Sequence, residues 1–212
     1  GDELVQRQQR VIVSRIVGEV LRGQGQFVEY DHYPADDVFD EDSGGQYYYH
    51  AHRDGEHGHF HTFLRARGMP AGVRPIEVAQ RCAPWPQGDD ALSHLIAISM
   101  DRYGYPIGFF ATNRWVTDEA WYAAEDVMAM LDRYVIDHAF PSWPVNRWIS
   151  AMLVLFRPHI EALVRHRDAV IGWHRAQAPQ HDVFEDRTLE VTGSLTISVD
   201  DWMAQLAQAQ VD

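Results

Sequence analysis

Apolar residues recur along the chain with two different periods, and the switches between them predict the order of elements. Leu4, Val5, Ile12, Ile16, Val17, Val20 and Leu21 follow mostly at three- and four-residue steps with Gln and Arg between them. Residues 4–22 therefore read as an amphipathic N-terminal helix, stopped by Gly23 and Gly25. Residues 31–46 lose that period. Pro34, then Asp36, Asp37, Asp40, Glu41 and Asp42, then Gly44 and Gly45 read as an exposed, solvated loop, and the spacing of the acids does not match a calcium loop.

From Gln46 to Arg53 and again from Glu56 to Arg65 the pattern alternates with period two, and Asp54-Gly55 between them is a hairpin turn signal. Residues 66–87 carry Gly68, Pro70, Gly72, Pro75, Pro84 and Pro86 and read as irregular, with room for a short helical turn at 76–81; a loop this long should cover something. His94–Met100 and Ile107–Ala111 form a second antiparallel pair around Asp101–Pro106. The two hairpins together predict a sheet of about four strands within residues 46–115.

A helical layer follows over residues 118–175. Thr117-Asp118-Glu119 reads as a helix start, with a long helix over 121–140 ended by Pro141 and Pro144. A second begins near Val145 and is bent or divided at Pro158. In the tail, 178–212, Leu195, Ile197 and Val199 alternate weakly and suggest an added strand or an extended arm. The expected fold is α+β: an antiparallel sheet packed against two long C-terminal helices, with the N-terminal helix at an edge.

Composition narrows the function. At 212 residues and 46% hydrophobic, the chain is expected to be a single domain, 1–212, with a real core. Its 31 acidic against 18 basic residues give a formal charge of −13, and no basic face is evident, so nucleic acid is not an expected partner. A single cysteine, Cys82, excludes an intrachain disulfide or a Cys-rich metal site, and it is expected to be structural or simply exposed. No apolar run has bilayer-spanning length, and Gly1-Asp2-Glu3 is not a signal segment, so the expected setting is cytoplasmic, without a membrane partner.

Chemistry concentrates on the first hairpin. His50, His52, His57, His59 and His61 crowd into twelve residues. If Asp54-Gly55 forms a two-residue turn, then His52 faces His57, His50 faces His59 and Tyr48 faces His61. Alternation puts all of these on one sheet face, while Tyr47, Tyr49, Phe60, Thr62 and Leu64 point the other way. Adjacent neutral imidazoles suit a borderline transition ion, iron or zinc. His59 and His61 share one strand, His50 lies across the ladder as the third ligand, His94 is next in line, and Glu56 is the nearest carboxylate. Three other readings stay open: a polar, partly solvated histidine face, a pocket in which several histidines receive an acidic ligand, or one histidine as a metal-free general acid or base.

Further candidates follow from position. Tyr48 shares the histidine face, Asn113 and Arg114 end a strand, and Arg147 opens a helix, so these four are candidate substrate contacts; Asn146 reads as a helix cap. The stretches Gln46–His52, Glu56–Phe63, His94–Met100, Gly108–Trp115 and Pro144–Trp148 together resemble a bacterial family catalogued only as a domain of unknown function. That resemblance implies no reaction and supplies no site residues. The residues themselves point to a mononuclear metal-dependent enzyme, an iron oxidoreductase or a hydrolase, acting on a small-molecule substrate. The alternatives are a non-catalytic metal or haem binding protein and a metal-free interaction protein.

Overall fold

The computed structural model describes residues 16–79 and 81–209. Of the expected N-terminal helix, residues 16–21 are helical, and residues 4–15 lie outside the described residues. The fold is α+β, with one antiparallel sheet in simple meander order: β1 (Tyr33–Phe39), β2 (Gly45–His50), β3 (Gly58–Arg65), β4 (Leu92–Met100), β5 (Pro106–Thr112) and β6 (Val191–Thr196). The sheet has six strands, against the four expected.

The extra strands are the two edges. β1 lies in the acidic segment expected to be a loop; it pairs with β2 only at Tyr33 and from Val38 onward, and the register shifts between them where Asp37 takes a positive φ of 56°. An edge strand tolerates Pro34 and such a bulge, because its outer edge needs no ladder bonds. The acids are not all solvated either. Asp40 is buried: one carboxylate oxygen accepts the backbone N–H groups of Asp42 and Ser43 at 3.0 and 2.9 Å, and the other accepts that of Asp137 at 2.9 Å. β6 answers to the weakly alternating tail, and a helix unforeseen in the sequence, Val199–Ala209, follows it.

One face of the sheet carries Tyr47, Tyr49, Phe60, Leu64, Ile96, Ile98 and Phe109, all buried in a single apolar core. Helices cover it: α1 (Arg114–Thr117), α2 (Ala124–Leu131), α3 (Trp143–Leu155) and α4 (Arg157–Gln177), with α5 (Val199–Ala209) closing the chain. Phe109 meets Phe156 at 5.4 Å and Phe60 meets Trp148 at 5.9 Å between ring centroids. As expected, α3 and α4 divide beside Pro158, which sits in the first turn of α4, where its missing N–H costs nothing.

The helix expected over 121–140 is only α2. Beyond Leu131 the chain leaves helical geometry so that Tyr134 and Ile136 enter the core, with the N–H of Ile136 donating to Ser150 Oγ at 3.2 Å. Nor does Glu119 open a helix: α1 ends there, at Asp118 in the left-handed region, and Glu119 is fully buried. Residues 66–91 are irregular apart from two short 3-10 turns, and no helical turn forms at 76–79. This segment meets Trp121 through the N–H of Ile76 and Arg114 through the carbonyl of Pro84.

Candidate functional site

The first hairpin brings the histidines together by the register its sequence implies. Tyr48 pairs with His61 and His50 with His59 across β2 and β3. The ladder stops there, because residues 51–57 form an open loop in place of the two-residue turn, so His52 and His57 are not paired. His57 leaves the cluster instead, donating its backbone N–H to Met100 O at 2.8 Å and placing its ring nitrogen 2.7 Å from Tyr49 Oη.

His50, His59 and His61 remain together, each offering a ring nitrogen within 4.8 Å of the other two, and all three are buried. Ligands at about 2.0–2.1 Å from one ion stand roughly 3.3 Å apart, so small shifts of the rings, outward for the His50–His59 pair, let the three share it. His50 Nε2 and His59 Nε2 already lie 2.6 Å apart.

Two of these rings have a partner behind them that orients the nitrogen they present. His59 Nδ1 is hydrogen-bonded to the Glu56 carboxylate, which also contacts Ser99, the neighbour of His59 on β4. With the proton held on Nδ1, the Nε2 lone pair faces His50. His61 Nδ1 lies 3.0 Å from His94 Nε2, and His94 Nδ1 lies 3.4 Å from Thr112 Oγ1. His61 Nε2 is buried with no hydrogen-bond partner among the described residues. A buried ring nitrogen without a partner costs free energy unless something binds it.

Burial keeps the imidazoles neutral. His50 is pushed down to about 2 and His94 to about 3, and His59 and His61 are also lowered, in each case chiefly because burial disfavours the charged ring. Neighbouring imidazoles add repulsion at His50 and His61. For His59 the Glu56 carboxylate works against this trend. Neutral imidazole is the ligating form.

The remaining sequence candidates fall in different places. His94 lies on the histidine face but outside the group of three, behind His61 as its hydrogen-bond partner. Glu56 orients His59. Tyr48 flanks the cluster, its ring 5.2 Å from those of both His50 and His61; burial and the charges of Asp37 and Glu119 push its phenol upward, so it stays protonated.

Asn113 caps α1 and donates to Val183 O at 2.7 Å, and buried Arg114 is bonded to Glu119 O and paired with Glu185 and Asp118. Arg147 lies on the helical layer, 3.7 Å from Asp137. These three are thus engaged with other groups of the protein. Asn146 is not a cap: it is buried in α3, accepts the Tyr47 hydroxyl at 2.7 Å, and donates to His138 O and Phe140 O. Cys82 is exposed.

Three groups near the cluster escaped the sequence pattern. His32, from the segment before β1, stacks on Tyr48 at 3.6 Å with its Nδ1 2.9 Å from Asp37. Arg53 lies over the Phe110 ring, and Glu119 accepts the backbone N–H of His94 at 2.6 Å. Their places depend on loop paths that periodicity does not encode. A cleft of about 1460 Å³ opens elsewhere, among Leu21, Tyr105, Trp148 and Leu155, and none of the three clustered histidines lines it.

Residues 3–197 match the model of a family described as a domain of unknown function (DUF6969), and the chain belongs to that family. No curated protein and no solved structure matches it.

Proposed function

We propose that this chain is a mononuclear metal protein in which His50, His59 and His61 hold one transition ion, iron or zinc, and that it works as a metal-dependent enzyme on a small polar molecule. The observation that carries the reading is the cluster of three buried, neutral imidazoles, one of which has a ring nitrogen with no partner among the described residues. Two supporting bonds strengthen it: Glu56 on His59 and His94 on His61 are the kind of partner that orients a ligating imidazole. Three protein ligands leave coordination positions for substrate or water, as catalytic sites do and closed structural sites do not. Bound there, zinc supplies Lewis acidity and activation of water, and iron supplies redox chemistry.

His52 favours one alternative. Its ring lies 4.7 Å from that of His50 and 5.1 Å from that of His59, so it is placed to become a fourth ligand. A four-imidazole site would be a store or sensor without an open position.

Elemental analysis of protein purified without a metal-affinity column tests the reading, comparing wild type with the His59→Ala, His61→Ala double variant. Near-stoichiometric iron or zinc that disappears in the variant is the expected result. Wild-type protein that takes up no metal, even after anaerobic supply of both ions, would sink it. Loss of metal from His52→Ala at the same level as from His50→Ala would favour the store.

A further inference from the structure

Resting on that metal reading, we propose that the ligand taken by the centre is a small carboxylate, gripped by Arg53. The cluster's surroundings are built in two rows across the sheet. One runs Tyr48, His61, Ala97, Phe110 and the other His50, His59, Ser99, Gly108, so the bulky imidazoles give way to small residues on β4 before Phe110 rises again on β5. The Phe110 ring turns its face at right angles to His59 and His61, with centroids 5.0 and 5.9 Å away. Over Phe110, 4.2 Å from its centroid, lies the Arg53 guanidinium.

Arg53 comes from the open loop 51–57 and is half-buried, yet it donates no hydrogen bond and forms no ion pair with any described residue. Most other arginines near the chemistry are spent. Arg114 holds Glu185 and Asp118, Arg167 holds Asp168 and Tyr122 O, and Arg65 donates to Gln46. A guanidinium presents a rigid fork of donors that matches the two oxygens of a carboxylate, and resting its face on an aromatic ring leaves that fork free along the edges.

Charge balance points the same way. Three neutral imidazoles contribute nothing to offset a divalent ion, and the carboxylates nearby are already engaged: Glu56 serves His59 and lies in the field of Arg53, Asp37 holds His32 and Gln46, and Glu119 takes the backbone N–H of His94. Ion plus Arg53 outweigh Glu56, and partly buried like charges repel strongly. An anion bridging the open coordination positions and Arg53 relieves both at once. A carboxylate offers one oxygen to the ion and the other to the Arg53 fork, and carries the negative charge that a neutral ligand lacks.

The experiment loads the protein with cobalt(II), confirms the metal stoichiometry, and follows the visible bands during titration with acetate, inorganic phosphate and acetamide. It is repeated in Arg53→Gln and Arg53→Lys, and thermal unfolding verifies that each variant folds as wild type does. Acetate binding that weakens by about tenfold or more in Arg53→Gln, and by less in Arg53→Lys, with metal content unchanged, is expected. Acetate affinity within twofold of wild type in Arg53→Gln overturns the inference while the metal reading stands. Tighter binding of phosphate or acetamide than of acetate overturns the carboxylate assignment. Wild-type protein that binds no cobalt overturns the metal reading and this inference with it.

Discussion

On the helix-covered face of the sheet, Phe60 packs against Tyr47, Tyr49 and Trp148 within the apolar core. On the opposite face, one residue before and one after it, His59 and His61 are just as buried, but they meet Glu56, His50 and His94. The same strand thus builds a packed core on one side and a polar cluster on the other, because successive side chains alternate. The first face is stabilised by removal of apolar surface from water. The second holds polar groups whose burial has to be offset by hydrogen bonds or by a ligand.

The largest effects come from testing that division directly. Phe60→Ala should cost about 3–5 kcal/mol of stability in denaturant unfolding, through lost transfer energy and a cavity, with metal stoichiometry unchanged in the protein that remains folded. His61→Ala, its neighbour on the strand, should abolish metal uptake while costing only about 1–3 kcal/mol in the metal-free protein, mainly by leaving His94 Nε2 without its partner. Equal stability losses together with retained metal in His61→Ala would erase the distinction between the faces.

Acid separates the faces next. For His50, His59, His61 and His94 the folded value lies below the ordinary 6.5 of an unfolded imidazole. The unfolded chain therefore takes up these protons first, and the stability contributed by the neutral rings is full above pH 6.5 and is lost as pH falls below it, by up to about 1.4 kcal/mol per unit for each ring. Glu119 runs the other way. Burial raises its carboxyl from 4.5 to about 7, so its contribution is present at low pH and lost as pH rises from 4.5 through 7. Four rings against one carboxyl predict that the urea midpoint of the metal-free protein drops between pH 6.5 and 4.5, and that Glu119→Gln, by removing the opposing group, steepens the drop. A midpoint independent of pH over that range would show that the imidazoles are not held neutral.

Smaller still is the effect of the bond behind a ligand. Glu56→Gln keeps the shape and one hydrogen-bond acceptor for His59 but loses the charge. Metal affinity measured by competition with a chelator should weaken by about 10- to 100-fold, with full loading still reached at high metal. Unchanged affinity would mean that Glu56 serves the loop and not the site.

How much of this was legible follows from what each feature depends on. The pairing of Tyr48 with His61 and of His50 with His59 could be counted from Asp54-Gly55, because the strand register is preserved even though the turn opens into a seven-residue loop. The division of the late helices could be read from Pro158. Edge strand β1 was hidden by Pro34 and its acids, residues that are unfavourable in a central strand and acceptable at an edge. The early end of α2 was hidden because Tyr134 and Ile136 keep a helical spacing while entering the core from irregular backbone. His94 was legible as a member of the face but not as the partner behind His61, since the register shift between Thr62 and Phe63 that sets its place leaves no trace in the pattern. Arg53 and His32 reach the cluster from loops, where no period applies.

The finest test sets two adjacent tyrosines against each other. Tyr47 and Tyr48 have the same side chain, are both buried, and differ only in which face they enter. The Tyr47 hydroxyl donates to Asn146 Oδ1 at 2.7 Å, linking sheet to helix, whereas the Tyr48 hydroxyl makes no hydrogen bond with a described residue and its ring stacks on His32. Tyr47→Phe leaves the Asn146 acceptor buried and unpaired, so it should cost about 1–2 kcal/mol in urea unfolding. Tyr48→Phe removes only a group with no protein partner and should stay within about 0.5 kcal/mol of wild type, with metal content unchanged. If the hydroxyl of Tyr48 serves the ligand of the centre, its removal should instead register as weaker acetate binding to the cobalt-loaded protein, a readout that Tyr47→Phe should leave unmoved. A stability loss in Tyr48→Phe equal to that in Tyr47→Phe would mean that the histidine face is held together as tightly as the core, and that its polar groups are structural rather than kept for a ligand.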